Sequence, residues 1–327
     1  MESLRAFADA VEAFAARLAA VDWRLLAIAA AFGVLNLALR ARGWQNVLRA
    51  ALPDTPIRYR SAFGAYCGGV GVNAIIPARA GDLVKILLIR RGAPGAPFPL
   101  LAGTLVTETV FDMFAAGLLI AWVLYTGVLP GLNLPDLPAF DLSLAFRHPW
   151  ATLGILAALA VIAILTARRI RRFWLQFGRG LAILRTPVRY VRTVAVWQAL
   201  GWGCRLGGAY HFLGAFDVPQ SLRNALLVLV AGNLGGLFPA TPAGLGPKQA
   251  LAVVLLAGEA SRGAVLAFSA GMELTLVVVN VVLGATCIAF MMRSLRLRSV
   301  IGRARAQQGA PEGPPASEPP AAGAGRR

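Results

Sequence analysis

The sequence predicts an all-α membrane protein, a polytopic helical bundle of two inverted repeats that each contain a re-entrant helical hairpin. Three features carry that expectation. The 327 residues are 57% hydrophobic with a mean hydropathy of +0.66, above the roughly 45–50% apolar usage of soluble domains. The apolar residues fall in continuous Ala- and Leu-rich runs, several near the roughly 20 residues a helix needs to cross the hydrocarbon core. Two more runs are interrupted near their middles by proline and glycine. A β-barrel is excluded because it needs short strands of alternating polarity.

The elements follow in order along the chain. Residues 1–21 place Leu4, Phe7, Val11, Phe14 and Leu18 on one helical face while Glu2, Asp9 and Glu12 interrupt any continuous apolar core. That pattern predicts an interfacial amphipathic helix and not a secretory signal. Spanning helices are expected over 22–40, 97–128, 149–167, 193–216 and 262–292. The broken runs, 61–91 and 219–260, carry Ile75-Ile76-Pro77-Ala78-Arg79-Ala80-Gly81 and Phe238-Pro239-Ala240-Thr241-Pro242-Ala243-Gly244. Neither half of such a run is long enough to cross, so each is expected to enter the membrane and return, its tip buried in protein or lining a wet cavity. The membrane domain is thus 22–292, with repeat one at 22–128, a connecting span at 149–167 and repeat two at 193–292. Residues 293–327, ending in Pro, Ala, Gly, Glu and Ser without periodicity, are expected as a disordered tail.

Charge fixes the expected orientation. Residues 168–192 hold eight arginines and no acid, whereas 129–148 has Asp136 and Asp141 against Arg147. The first segment is expected to be cytoplasmic and the second external. Arginines after the first span (Arg40, Arg42, Arg49) and after the last (Arg293, Arg296, Arg298) set both exits, and the C-terminus, on the cytoplasmic side of a cell membrane, with the N-terminus outside. The net charge of +17 sits beside the apolar runs, which suits anionic lipid headgroups and not nucleic acid.

Inverting the two units leaves a sequence trace. The chain has only two lysines among its 32 basic residues. Lys85 follows Gly81 by four residues and Lys248 follows Gly244 by four, and Glu108 and Glu273 lie on the helix after each. Paired positions of proline, glycine, lysine and glutamate in halves of opposite topology are expected of alternating-access transporters.

With Asn73-Ala74-Ile75-Ile76-Pro77-Ala78-Arg79-Ala80-Gly81-Asp82 in the first half and Phe238-Pro239-Ala240-Thr241-Pro242-Ala243-Gly244-Leu245-Gly246 in the second, the chain resembles the transmembrane domain of lysylphosphatidylglycerol synthases, a flippase-like family, over about residues 20–295. The resemblance implies lipid movement between leaflets. The chain departs from the family pattern in having Asp82 for a glutamate, Gln249 where an acid is usual, and Thr109 for an arginine after Glu108, so the headgroup or coupling ion is expected to differ. The resemblance is to the membrane region alone, so synthase activity is not expected to carry over.

Glu108 and Asp112, four residues apart, share a helical face. A charge at mid-membrane costs about 2.5–3.5 kcal/mol, so these acids are expected to face the interior and pair with Arg79, Lys85 or Arg205. Such a pair either fixes helix packing or serves as a headgroup or proton site. Arg79, at a hairpin tip, either grips phosphate or snorkels to the surface. Lys85 and Lys248 carry the same alternatives, with Asp82 and Gln249 beside them; Asn73 and Asn233 either satisfy broken backbone or touch substrate. Glu273 is the acid of the second half, and Pro77, Gly81, Pro239, Pro242, Gly244 and Gly246 form the expected turns. Cys67, Cys204 and Cys287 lack metal or disulfide spacing, and no catalytic, P-loop, metal or cofactor motif is present. The expected function is translocation of an anionic or polyprenyl-phosphate-linked lipid. The alternatives are a non-transporting accessory subunit or enzyme of lipid or glycolipid biosynthesis, and a scaffold that recruits a glycosyltransferase or lipid-synthesis enzyme through residues 168–192.

Overall fold

The structure, a computed structural model, describes residues 21–76, 80–127, 171–236 and 246–308, the stretch 294–308 by backbone alone. Expectations for 1–20, the loop 129–148, the span 149–167, and for Pro77, Arg79, Pro239, Pro242 and Gly244 fall outside these residues. The described chain is all-helical. Three helices are long and apolar enough to cross a membrane: α1 (Trp23–Ala51), α4 (Phe98–Tyr125) and the Arg262–Arg293 part of α8 (Arg262–Gln308). The predicted span 193–216 is α5 (Val196–Ala215), whose Gln198, Arg205 and His211 lower its hydropathy.

Each start has a local cause. Asp22 caps α1 by accepting hydrogen bonds from the N–H groups of Arg24 and Leu25 at 2.8 and 3.2 Å, satisfying two of the donors that every helix start leaves open. Pro97 precedes α4 and Pro99 lies in its first turn, where a missing N–H costs nothing. The outer faces stay apolar: Met113, Phe114 and Leu118 of α4 and Leu274, Val278 and Val282 of α8 are exposed, a distribution suited to lipid and not to water.

α1 and α5 lie antiparallel along their whole length. The Asp22 N–H donates to Ala215 O at 3.0 Å at one end, Gly207 and Gly208 meet Phe32 and Ala29 near the middle, and Asn46 Nδ2 donates to Thr193 O at 2.6 Å at the other. The small residues at 207 and 208 let the two helices approach closely. Gly232 lies on the wall of the cavity described below.

Between α1 and α4 lie α2 (Tyr59–Ile75) and α3 (Ala80–Gly92), and between α5 and α8 lie α6 (Leu222–Gly235) and α7 (Pro247–Leu255). Each pair is two separate helices on either side of a stretch whose sequence carries proline and glycine, residues that favour breaks. In the first pair Asn73 meets Gly81, Gly69 meets Lys85 and Gly68 meets Leu88, so the chain folds back on itself. A side chain at Gly81 would collide with the Gly69 carbonyl. α2 also crosses α8 closely, Gly71 against Asn280 and Gly284. An apolar core joins α5, α6, α7 and the start of α8 through Phe212, Leu213, Leu227, Val228, Leu256 and Phe268.

The chain divides into two units, Met1–Ile288 and Ala289–Arg327. Within the second, helix continues to Gln308, so residues 293–308, where the sequence predicts the start of a disordered tail, are helical. Arg, Leu, Ala and Gln are good helix formers.

Candidate functional site

The buried charges gather where α1, α2, α4 and α5 meet. Arg40 of α1 donates to Asp112 through both guanidinium ends, Nη1 to Oδ1 at 2.8 Å and Nη2 to Oδ2 at 2.5 Å, and Nη2 also reaches Glu108 Oε1 at 2.9 Å. Its Nε donates to the Tyr66 hydroxyl at 2.7 Å, and that hydroxyl donates to Glu108 Oε1 at 2.5 Å. Trp202 Nε1 adds a bond to Asp112 Oδ1 at 2.9 Å. Gln198 Nε2 donates to the Glu108 carbonyl at 3.1 Å, fixing the α4 backbone from α5. Charge-assisted, bidentate bonds are the strong class, and here every carboxylate oxygen of Asp112 is occupied.

Lys85 of α3 completes this cluster. Its Nζ lies 3.4 Å from Asp82 Oδ1, 3.9 Å from Glu108 Oε2 and over the Tyr66 ring at 4.2 Å. Gly69 permits the approach, since the Lys85 stem fills the space a side chain there would take. In the other half Lys248 Nζ, on α7, pairs with Glu273 Oε1, on α8, at 2.9 Å, and Gly235 lies against the Lys248 stem just as Gly69 lies against Lys85.

The structure therefore brings together Lys85, Asp82, Glu108 and Asp112 as one group and Lys248 with Glu273 as another. Two predicted site residues prove local: Asn73 Oδ1 accepts from the Gly81 N–H at 2.7 Å, and Gln249 Oε1 accepts from the Gly246 N–H at 2.6 Å. Both satisfy helix starts next to the breaks, the second at a glycine whose φ is +95°, a conformation that favours glycine. Asn233 likewise bonds its own helix, at Leu229 O.

The principal cation for the acids is Arg40, which the sequence expectation placed at the cytoplasmic edge after a span ending at residue 40. α1 instead runs on to Ala51, and its buried positions Leu37, Ala41, Trp44 and Leu48 repeat every three to four residues past Arg40. That continuing stripe is the signal that places Arg40 on an interior face. Tyr66 and Trp202 carry no such signal, because a lone aromatic in a glycine-rich helix reads the same at a lipid face. Arg205, expected among the partners of the acids, forms no ion pair with them.

Arg40, Tyr66 and Asp112 of the first cluster and the Lys248–Glu273 pair line one cavity of about 430 Å³, whose wall also includes Asn36 and Arg205. Its lining comes from α1, α2, α4, α5, α6, α7 and α8, so both helix–break–helix units contribute. Among the described residues no group of three His, Cys, Asp or Glu side chains could hold a metal ion.

Residues 4–305 match the family described as lysylphosphatidylglycerol synthase TM region. The chain belongs to that family. No curated protein and no solved structure matches it. As a lysylphosphatidylglycerol synthase TM region it is an integral membrane domain, and the apolar helices and their buried charged cavity are the physical form that this family takes here.

Proposed function

We propose that this protein moves an amphipathic lipid, anionic or polyprenyl-phosphate-linked, between the two leaflets of the cell membrane. The observation that carries this reading is the cavity: about 430 Å³, walled by both signs of charge, between helices that face lipid on their outer sides. Ligand cavities run from roughly 300 to 1,000 Å³, so this one accommodates a polar headgroup while the acyl chains stay in the bilayer.

The two halves supply matching parts. In each, a glycine on the helix before the break receives the stem of a lysine after it, and that lysine faces a glutamate on the next helix: Gly69, Lys85, Glu108 and Gly235, Lys248, Glu273. This correspondence supports two inverted repeats whose hairpins enter from opposite sides. Arginine density at 168–192 supports a cytoplasmic face there and a cytoplasmic C-terminus. In the proposed cycle the lysine–glutamate contacts hold the two approaches to the cavity. A headgroup phosphate competes with the carboxylates for the cations, loosens one contact, and lets the repeats rock about the occupied site. With no nucleotide motif in the chain, net movement is either downhill or driven by protons through Glu108 and Glu273.

The test is leaflet exchange of fluorescent phospholipids and polyprenyl-phosphate lipids in liposomes carrying the purified protein, with and without a proton gradient. Exchange that Glu108→Gln and Glu273→Gln abolish while the protein stays folded is the expected result. No exchange of any lipid by folded protein rejects translocation in favour of a non-transporting role beside a lipid- or glycolipid-synthesising enzyme.

A further inference from the structure

Arg205 stands half-way along the 20-residue α5, on the cavity wall. Its guanidinium lies over the Trp202 ring, 4.3 Å from the centroid. A guanidinium offers five N–H donors in a fixed fork. Among the described residues none of them meets an acceptor, and no carboxylate lies within ion-pairing distance. Its charged neighbours are Arg40 and Asp112. The first repels it, and the second has both oxygens committed to Arg40 and Trp202. The other cations of the cavity region, Arg40, Lys85 and Lys248, each face a carboxylate.

A charged group in the middle of a membrane helix demands a partner, and leaving its donors unmet costs the full desolvation penalty. Stacking on indole contributes about 0.5–2 kcal/mol, too little to replace hydrogen bonds for five donors. The described residues do not supply that partner, and one suited to a planar fork carries negative charge and presents two oxygens. We propose that Arg205 is the oxyanion anchor of the cavity, receiving two oxygens of a headgroup phosphate, with Trp202 as the platform that holds the guanidinium towards the cavity. The assignment rests on reading the cavity as a headgroup chamber. It also explains why Trp202 bonds Asp112: an anion at Arg205 is linked through one indole to the Arg40–Asp112 pair.

The experiment measures thermal stability of the full chain in neutral detergent, with added dihexanoyl phosphatidylglycerol, dihexanoylglycerol or inorganic phosphate, for wild type, Arg205→Gln and Arg205→Lys. The phosphodiester lipid should raise the wild-type melting temperature, and the neutral diacylglycerol should not. Arg205→Gln should weaken apparent affinity for the phosphodiester by about tenfold or more, the scale of charged hydrogen bonds. Arg205→Lys should fall between, keeping charge but losing the fork. Without ligand, Arg205→Gln should melt no lower than wild type, since it removes an unmet charge. Equal phosphodiester affinity in wild type and Arg205→Gln overturns the proposal, and so does a ligand-free Arg205→Gln that melts several degrees lower, which marks a structural arginine. If inorganic phosphate alone reproduces the stabilisation, the anchor stands and the lipid reading of the cavity falls. If the lipid binds through Arg205 yet no leaflet exchange occurs, the anchor likewise stands and translocation falls.

Discussion

At the scale of single residues, Arg40 is where packing and chemistry meet. It donates to two carboxylates and a phenol inside the helix bundle, with Lys85 and Trp202 as further partners of the same acids. Breaking a buried pair by removing one partner costs about 3–5 kcal/mol. Arg40→Ala should therefore lower the melting temperature in detergent sharply, and an unchanged value would mean that the cluster contributes nothing to the fold. Glu108→Gln should be milder, because Asp112 keeps the guanidinium bidentate; its effect should appear in exchange rate before it appears in melting. The Lys248–Glu273 pair allows a cleaner separation of roles. Lys248→Glu and Glu273→Lys alone should each stop leaflet exchange, and the double variant should recover it if attraction across that contact is what matters. Failure of the double variant in a folded protein would show that the order of the charges, and not their attraction, is required.

At the scale of elements, the helix breaks position the lysines. The turn of α3 that carries Lys85 is seated by Gly81 against the Gly69 carbonyl, so a side chain at Gly69 must displace the lysine or separate the helices. Overpacking of this kind costs about 1–3 kcal/mol. Gly69→Leu should lower the melting temperature by that order and weaken exchange, measured as above. At α7 the cap is polar: Gln249 closes the loop back to the Gly246 N–H. Gln249→Ala should cost about 1 kcal/mol and leave exchange in place, which tells a capping role from the ligand role that the sequence also allows. α1 illustrates how an element boundary changes a residue's meaning. Its apolar run ends near residue 40, but its buried stripe continues to Ala51, so an arginine placed beyond a span belongs to the interior of one.

At the scale of the whole molecule, the charge bias of the segments predicts topology. A cysteine introduced at Thr186, in a chain with Cys67, Cys204 and Cys287 replaced by alanine, should react with an impermeant reagent from the cytoplasmic side alone; labelling from outside would reverse the proposed orientation. Several features of this protein are properties of the sequence itself. The helical class, three of the spans, the helix at 193–216 and the two breaks follow from hydropathy, length and the backbone chemistry of proline and glycine, all of which act over a few neighbouring residues. That each half carries a lysine after its break and a glutamate on the next helix was legible from spacing, whereas the Lys248–Glu273 contact itself came from the fold. The tertiary structure alone decided which cation each carboxylate meets. Arg40 lies 68 residues from Glu108 and 72 from Asp112, and a separation of that size is closed only by packing α1 against α5 and α4. It also decided that Asn73 and Gln249 close helix ends and that Arg205 is left without an acceptor, because hydrogen-bond satisfaction is settled by where all the donors and acceptors come to rest together.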